Sequence, residues 1–249
     1  MLLNFIGNGS AFNVTNGNTS AFYREGDKFL LLDCGETVME RIIKSKLLDG
    51  VNKIYIANTH LHGDHAGSLS SFIYYSFYAK GIVPRIVASD YPLKDKELAT
   101  FLQFSGTNKN FYSFCGENLE NEFWGIKSLK YNKVSHDNKI TASYAINITM
   151  ADGKKIYFSG DTNDFEYIKA VGNALREGDE FYCDTCFAEY EGNVHCNIHR
   201  LAQAIPEEKR GQVYSMHLDN NNELLYYINY YGFKLAENID LLQNDSYLY

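Results

Sequence analysis

Residues 58–67, NTHLHGDHAG, place three of the chain's seven histidines within six positions, with an aspartate directly before the last of them. This constrains the fold, because so much imidazole in one loop calls for partners from elsewhere in the chain. The segment KIYIANTH reads as a strand running into the loop. His60 and His62 lie two apart in extended backbone and so point the same way, where their imidazoles can meet one ion. Gly63 then allows a sharp turn, and Asp64 and His65 are aimed at a neighbouring point. Two histidines in one direction and Asp plus His in another is a layout for two adjacent metals. Mixed imidazole and carboxylate ligands suit zinc, with manganese or iron as alternatives.

The remainder reads as α/β, and 249 residues are enough to bury a sizeable core. LLNFI reads as a buried strand, and TSAFYREGDKFLLLDCG as two strands joined by a turn at Gly26–Asp27. TVMERIIKSKLL and SLSSFIYYSFYAKG read as helices and RIVAS as a short strand. KDKELATFLQF suits a helix, while SGTNKNFYSFCGENLENEFWG looks irregular and aromatic. The second half repeats the first in kind. IKSLKYNKVSH, KITASYAINITM and KKIYFSGD are predicted strands, followed by a helix near 164–175 and the strand EFYCDTCFAE. A helix near 197–205, the strand QVYSMH and a helix near 221–231 complete it. Strands followed by helices in two similar halves predict a four-layer αββα sandwich. No linker rich in Pro, Gly or Ser interrupts it, so one domain is expected over 1–249.

Charge and composition narrow the function. A formal net charge of −8 argues against tight binding to a long nucleic acid, which needs many Lys and Arg on one face. Lys127, Lys130 and Lys133 are the one hint of a basic row, and a solvated strand face is the expected reading. No apolar stretch approaches the roughly 18 residues of a membrane span. The opening MLLNFIGNGSAF has neither a basic start nor a long apolar run, so it does not read as a secretory signal. Five cysteines, an odd number without the density of a disulfide scaffold, are expected as reduced thiols in a cytosol.

THLHGDHAG resembles the His-x-His-x-Asp-His motif of the metallo-β-lactamase superfamily, and the likeness extends along nearly the whole chain. FIGNGSAF and NTSAFY resemble its opening strands and LLDCGE its third; SHDNKITASYAI resembles the segment supplying a third histidine. IYFSGDT resembles the segment of the metal-bridging aspartate, and VYSMH the strand delivering the last histidine. The resemblance implies the metallo-β-lactamase fold and two divalent ions, zinc first and manganese second. It implies that His60, His62 and His136 hold one ion, that Asp64, His65 and His217 hold the other, and that Asp161 bridges them. Asp33 ends an apolar strand, where an unpaired carboxylate is costly, and is expected to orient a ligand histidine. The redox di-iron relatives carry a carboxylate at the position of Gly63, so the glycine favours hydrolysis over electron transfer.

His195 and His199 lie in GNVHCNIHRLAQAIP, outside the ligand set. The branch of the superfamily that includes RNase Z and related phosphodiesterases has a histidine opening a helix at this place, and His195 stands 22 residues before His217. In that branch it donates a proton to the leaving group, which makes Asp64 and His195 the expected catalytic pair and a phosphodiester the expected substrate. His199 is expected to be structural. Cys183, Cys186, Cys196 and His199 have a spacing that could suit a small zinc site, but a strand would point Cys183 and Cys186 to opposite sides. GNGS lacks the Lys-Ser/Thr of a P-loop.

Enzymes of this branch that cut precursor tRNA usually carry a long glycine-rich arm, in one major bacterial class between the third histidine and the bridging aspartate. Only 24 residues lie between His136 and Asp161, so the arm has no room here and a small phosphodiester is expected. The stretch GNVHCNIHRLAQAIPEEKRGQVYSMHLD resembles the anti-Pycsar cyclic-nucleotide phosphodiesterases of phages and their bacterial relatives. That resemblance implies hydrolysis of 3′,5′-cyclic mononucleotides, a homodimer, and a cytoplasmic location (the host cytoplasm if phage-encoded). An RNase Z-like RNA endonuclease and a metal hydrolase of carbonyl substrates stay open as alternatives. For stacking a nucleobase, Phe111 and Tyr112 are the first choices and Tyr74, Tyr75 and Tyr78 the second. Residues 106–125 are expected to cover the pocket and pack against a second subunit.

Overall fold

The computed structural model describes residues 1–136 and 142–239. Twelve strands form two six-stranded sheets. In the first, β1 (Asn4–Gly7), β2 (Ser20–Glu25) and β3 (Lys28–Leu32) pair antiparallel, and β4 (Lys53–Ala57), β5 (Arg85–Val87) and β6 (Ser113–Cys115) continue in parallel. In the second, β7 (Ile126–Val134), β8 (Ser143–Met150) and β9 (Lys155–Phe158) pair antiparallel. There β10 (Glu180–Asp184), β11 (Val213–Met216) and β12 (Lys234–Leu235) continue in parallel. The sheets therefore repeat one plan, as the two similar halves of the sequence predict. Residues 139–141 of the segment KITASYAINITM lie outside the described residues.

Both faces of the central strands are apolar, which is why the layers stack. Along β3, Leu30 and Leu32 enter the core between the sheets, while Phe29 and Leu31 face outward under helices. Along β4, Tyr55 and Ala57 point inward and Ile54 and Ile56 outward. The outer face of the first sheet is covered by α1 (Val38–Lys44), α3 (Leu69–Tyr78) and α4 (Pro92–Phe104), and a four-residue turn of helix, α2 (Gly63–Ala66), lies at its edge. The second sheet is covered by α5 (Phe165–Ala174), α6 (Ile198–Ala204) and α7 (Asn222–Tyr230). The result is the αββα sandwich. Its strands β3, β4, β9, β10 and β11 end along one edge, and the polar residues of the site follow directly from those ends.

The segment 106–125 departs from expectation. It is not a flap: it contributes the edge strand β6, and Leu119 and Phe123 are buried in the core between the sheets. Phe111 packs against Tyr74, Phe77 and Tyr78, with ring centroids 5.6, 4.4 and 5.3 Å away, and Tyr112 is buried over the outer face of the first sheet. None of these aromatics lines the cavity at the strand ends, so none is placed to stack a base there, contrary to expectation. Lys127, Lys130 and Lys133 on β7 are exposed, as expected.

Lys94, near the start of α4, is only 6% exposed, and its ammonium sits 3.9 Å from the centroid of the Tyr131 ring. Burial pushes its pKa down to about 8, against an unfolded value near 10.4. Between those values the unfolded chain binds the proton and the folded chain does not, so stability rises with pH there, by about 3 kcal/mol at most. We expect thermal melts of the wild type and Lys94→Met to converge as pH rises from 8 to 10, with the variant the more stable at pH 7. Parallel curves would show that the lysine is not titrating in this range.

Candidate metal centre

The site is built from strand ends. Asp33 follows β3, Asn58 to His62 follow β4, Asp161 follows β9, Asp184 closes β10 and His217 follows β11. His136 comes two residues after β7. Two of these residues, Asp33 (φ 61°) and His217 (φ 57°), hold left-handed backbone that costs a non-glycine residue roughly 1–2 kcal/mol. Such strain persists only where surrounding bonds enforce it.

Gly63 does not supply the special turn expected of it. Its backbone is ordinary and begins α2, and a Cβ there would stand 2.9 Å from Oε1 of Glu36, the far end of a side chain able to move aside.

The seven residues expected to hold metal converge in two groups, His60, His62 and His136 in one and Asp64, His65, Asp161 and His217 in the other. In each group the donor atoms lie within 4.8 Å of one another. In the first, His60 Nε2 is 3.0 Å and His136 Nε2 3.4 Å from His62 Nδ1. In the second, His65 Nε2 is 3.1 Å from Asp161 Oδ1, and His217 Nε2 is 3.2 Å from Asp64 Oδ2 and 3.3 Å from Asp161 Oδ2. A tetrahedral ion bound at 2.0–2.1 Å has ligand atoms about 3.3–3.4 Å apart, so these separations suit it. Asp161 also lies 3.9 Å from both His60 and His136, between the groups.

Outer hydrogen bonds decide which nitrogen of each ring faces inward. Asp33 is fully buried and accepts four: from Thr59 N (2.7 Å), Thr59 Oγ1 (2.8 Å), Asn58 Nδ2 (3.2 Å) and His65 Nδ1 (2.8 Å). With its hydroxyl hydrogen given to Asp33, Thr59 Oγ1 accepts from His60 Nδ1 at 3.0 Å. His136 Nδ1 donates to the Val194 carbonyl at 3.3 Å. His60 and His136 therefore turn Nε2 inward as a lone pair, the form a metal needs, and His65 turns the same atom inward with a proton that an ion would displace.

The electrostatics fit a cation. Buried His65 Nε2 and Asp161 Oδ1 lack a well-aligned hydrogen bond although they face each other. Burial would depress His65, but Asp161, Asp64 and Asp33 outweigh it and hold its imidazole well above the usual range. Burial likewise opposes the charge on His217, yet Asp161 and its neighbours push it up to about 10. Burial and the neighbouring His65 keep His60 neutral. Protons on these imidazoles balance the carboxylates in the places where divalent ions would displace them.

A cavity of about 320 Å³ opens over this centre. Its wall includes His62, Asp64, His136, Asp161, His195 and His217, and among the described residues no Lys or Arg lines it.

His195 also reaches the site. Its Nδ1 is 2.9 Å from Asp184 Oδ2, leaving Nε2 as the second nitrogen available to the cavity. Burial would lower this imidazole, but Asp184 more than compensates and its pKa is raised. The ring stacks on His217, with centroids 4.8 Å apart. Contrary to the expectation from sequence, His195 does not open α6; Asn197 caps that helix by accepting from His199 N at 2.8 Å. Asp164, not Asp161, caps α5. His199 bonds Tyr231 Oη at 2.9 Å among aromatic rings, a structural place.

Asp184 was missed in the sequence. It is fully buried, bonds His195, accepts from Thr162 N at 2.9 Å and lies 3.4 Å from His217 Nδ1. With Asp161, His195 and His217 it forms a third overlapping donor group. Among the described residues, the groups that could hold an ion contain no cysteine.

The family described as "Anti-Pycsar protein Apyc1" matches residues 1–235. The Apyc1 anti-Pycsar protein of Bacillus phage BSP38 is 29% identical over 243 residues, covering 89% of this chain and 90% of that one. Among solved structures, the metallo-β-lactamase fold protein YhfI of Bacillus subtilis superposes with a TM-score of 0.68 at 15% identity, covering 94% of both chains. Human tRNase Z, short form, superposes with a TM-score of 0.64 at 18% identity, covering 96% of this chain and 98% of that one. The fold is the metallo-β-lactamase fold.

Asp33 offers a test of this outer shell. Asp33→Asn should weaken retention of divalent metal by about 10–100-fold, the usual effect of losing such a partner. Competition with a fluorescent chelator measures it. An unchanged affinity in a folded variant would remove Asp33 from any part in orienting the ligands.

Proposed function

The chain belongs to the family of the anti-Pycsar protein Apyc1, and on that premise we propose that it hydrolyses 3′,5′-cyclic mononucleotides to nucleoside monophosphates. In this reading it acts in the cytoplasm of an infected cell, where it removes a cyclic-nucleotide signal of antiphage defence. The observation that carries the reading is the His195–Asp184 pair set over the edge of a two-group His/Asp centre. Among the described residues, the hairpin of β8 and β9 occupies the stretch between His136 and Asp161, which leaves no room for a tRNA-gripping arm. The acidic net charge also disfavours a long RNA.

His60, His62 and His136 would hold one divalent ion and Asp64, His65 and His217 the other, with Asp161 shared between them. Zinc is our first assignment and manganese our second. Two such ions supply positive charge for the phosphate and lower the pKa of a water to near neutrality. Among the described residues the wall carries carboxylates and no Lys or Arg, so in this reading the ions bring the positive charge that an anionic substrate meets. Asp64 orients the attacking water in line with the bond to the ribose oxygen. As the new P–O bond forms and the bond to that oxygen breaks, His195 delivers the proton from Nε2. Asp184 holds Nδ1 throughout, fixing the ring and balancing its charge.

The homodimer also belongs to this proposal. Phe104 and Trp124 are 88% and 84% exposed, and in this reading a second copy of the chain covers them. Light scattering should give twice the chain mass; a strict monomer would dismiss it.

Elemental analysis of protein purified without chelator should find about two equivalents of a transition metal. His195→Ala should keep that metal, since His195 is not a ligand, and lose about 10²–10⁴-fold in turnover of a cyclic nucleotide. A p-nitrophenolate leaving group needs no proton and should recover much of the loss. Asp161→Ala should lose metal and both activities. Equal losses on both substrates for His195→Ala would reassign the residue to phosphate binding. No loss on either would remove the main support for a phosphodiester substrate.

A further inference from the structure

The catalytic centre handles a phosphate and a ribose oxygen but offers nothing to a nucleobase. The rim of the same cavity does. Phe12 and Tyr190 both line it, and both are exposed, at 89% and 60%. Exposed rings are common on the surface; what sets these two apart is that both stand on the rim of the cavity over the site.

Neither ring hangs on a slack loop. Residues 9–17 are closed by Gly9 N to Gly17 O (2.8 Å), Gly17 N to Asn13 O (3.0 Å) and Asn13 N to Ser10 O (3.0 Å). This loop is bolted to the segment after His217: Ser10 N and Asn13 Nδ2 donate to the Leu218 carbonyl at 3.0 and 3.1 Å. Asn220 Nδ2 donates to the Phe12 carbonyl at 3.3 Å. The loop carrying Tyr190 is tied to the same segment, because Asp219 Oδ2 accepts from Phe187 N (2.8 Å) and Ala188 N (3.0 Å). Asn193 closes it by donating from Nδ2 to the Ala188 carbonyl at 2.9 Å, while its N donates to the Tyr190 carbonyl at 3.1 Å. Both aromatic rims are thus fixed to the backbone that presents His217.

We propose that Phe12, with Tyr190 as a second wall, is the subsite that stacks the base of the cyclic nucleotide. The inference rests on the cyclic-nucleotide reading above. The chemistry of the wall also sets its selectivity. Its apolar members are Ala11, Phe12, Ala188 and Val194. The polar side chains of Asn193 and Asp219 are committed to their loops, Asn193 Oδ1 to His195 N and Asp219 Oδ1 to Asn221 N. Ring faces tolerate any base, so loss of the Phe12 wall should weaken purine and pyrimidine nucleotides alike.

The test is steady-state kinetics of the metal-loaded protein on 3′,5′-cyclic AMP, 3′,5′-cyclic CMP and an abasic 1-methoxyribose 3′,5′-cyclic phosphate. Phe12→Ala should raise KM about five- to hundredfold on both nucleotides, the usual value of one stacking contact, with kcat within about twofold. Phe12→Trp should restore KM. The wild type should already show a high KM on the abasic compound, and Phe12→Ala should not raise it further. Tyr190→Ala should act in the same sense but more weakly. Unchanged KM on the nucleotides, or an equal rise on the abasic compound, overturns the subsite and leaves the cyclic-nucleotide reading standing. A wild type that cleaves methyl p-nitrophenyl phosphate but no cyclic nucleotide overturns that reading, and the subsite falls with it.

Discussion

Everything at the centre depends on one buried carboxylate. Asp33 has no solvent to share its charge and is held in left-handed backbone, two costs that four hydrogen bonds offset. Those bonds do more than satisfy Asp33. Through His65 it sets a ring in the second donor group directly, and through the Thr59 hydroxyl it sets His60 in the first. One residue therefore couples the orientation of both groups, and it sits at the end of a strand whose two faces are both buried in the core. Motion of the ligands is resisted by the packing of the sandwich itself.

The second constraint is charge. The centre gathers Asp33, Asp64, Asp161 and Asp184 where water is scarce, in a chain already at −8. Uncompensated, that is ruinous; the compensation available within the chain is protons on His65 and His217. Divalent ions replace those protons with charge that does not leave as pH rises, and they turn an acidic cavity into one able to receive a phosphate. The acidity that argues against nucleic acid binding at the surface is the same property that makes the site a strong cation binder.

Much of this was legible because the signals were local or periodic. Continuous apolar runs marked β3 and β4, and HLHGDH needed only its own spacing. His136, Asp161 and His217 were legible through likeness to a known pattern rather than by physics, since nothing local to them says that they meet. Asp184 escaped both routes. Yet FYCDTC carries the warning that LLDCG does: a carboxylate ending an apolar strand must find a partner, and the partner here is 11 residues away. The aromatic choices failed for another reason. Composition located rings in 74–78 and 111–112, but whether a helix lies over the outer face of a sheet or beside its strand ends is a tertiary fact. Phe12 was passed over because GNGS was weighed as a phosphate loop, and its glycines serve a tight loop instead. A Cβ on Gly9 would meet the Asn13 carbonyl at 2.8 Å.

The segment 217–220 joins these themes. His217 is one of two site residues in left-handed backbone, and the residues after it fasten the loop of Phe12 on one side and the loop of Tyr190 on the other. Asn8 O also accepts from Leu218 N at 2.9 Å, so the first sheet is bound to the second at this point. The strain at His217 is therefore enforced from both halves of the sandwich. It has a use, since an ordinary strand continuation would carry the chain onward out of the sheet edge, whereas the left-handed residue redirects it along the rim. The turn that aims the last imidazole at the centre also builds the floor on which the two aromatic loops stand. A centre assembled from strand ends gains its rim by that one backbone reversal.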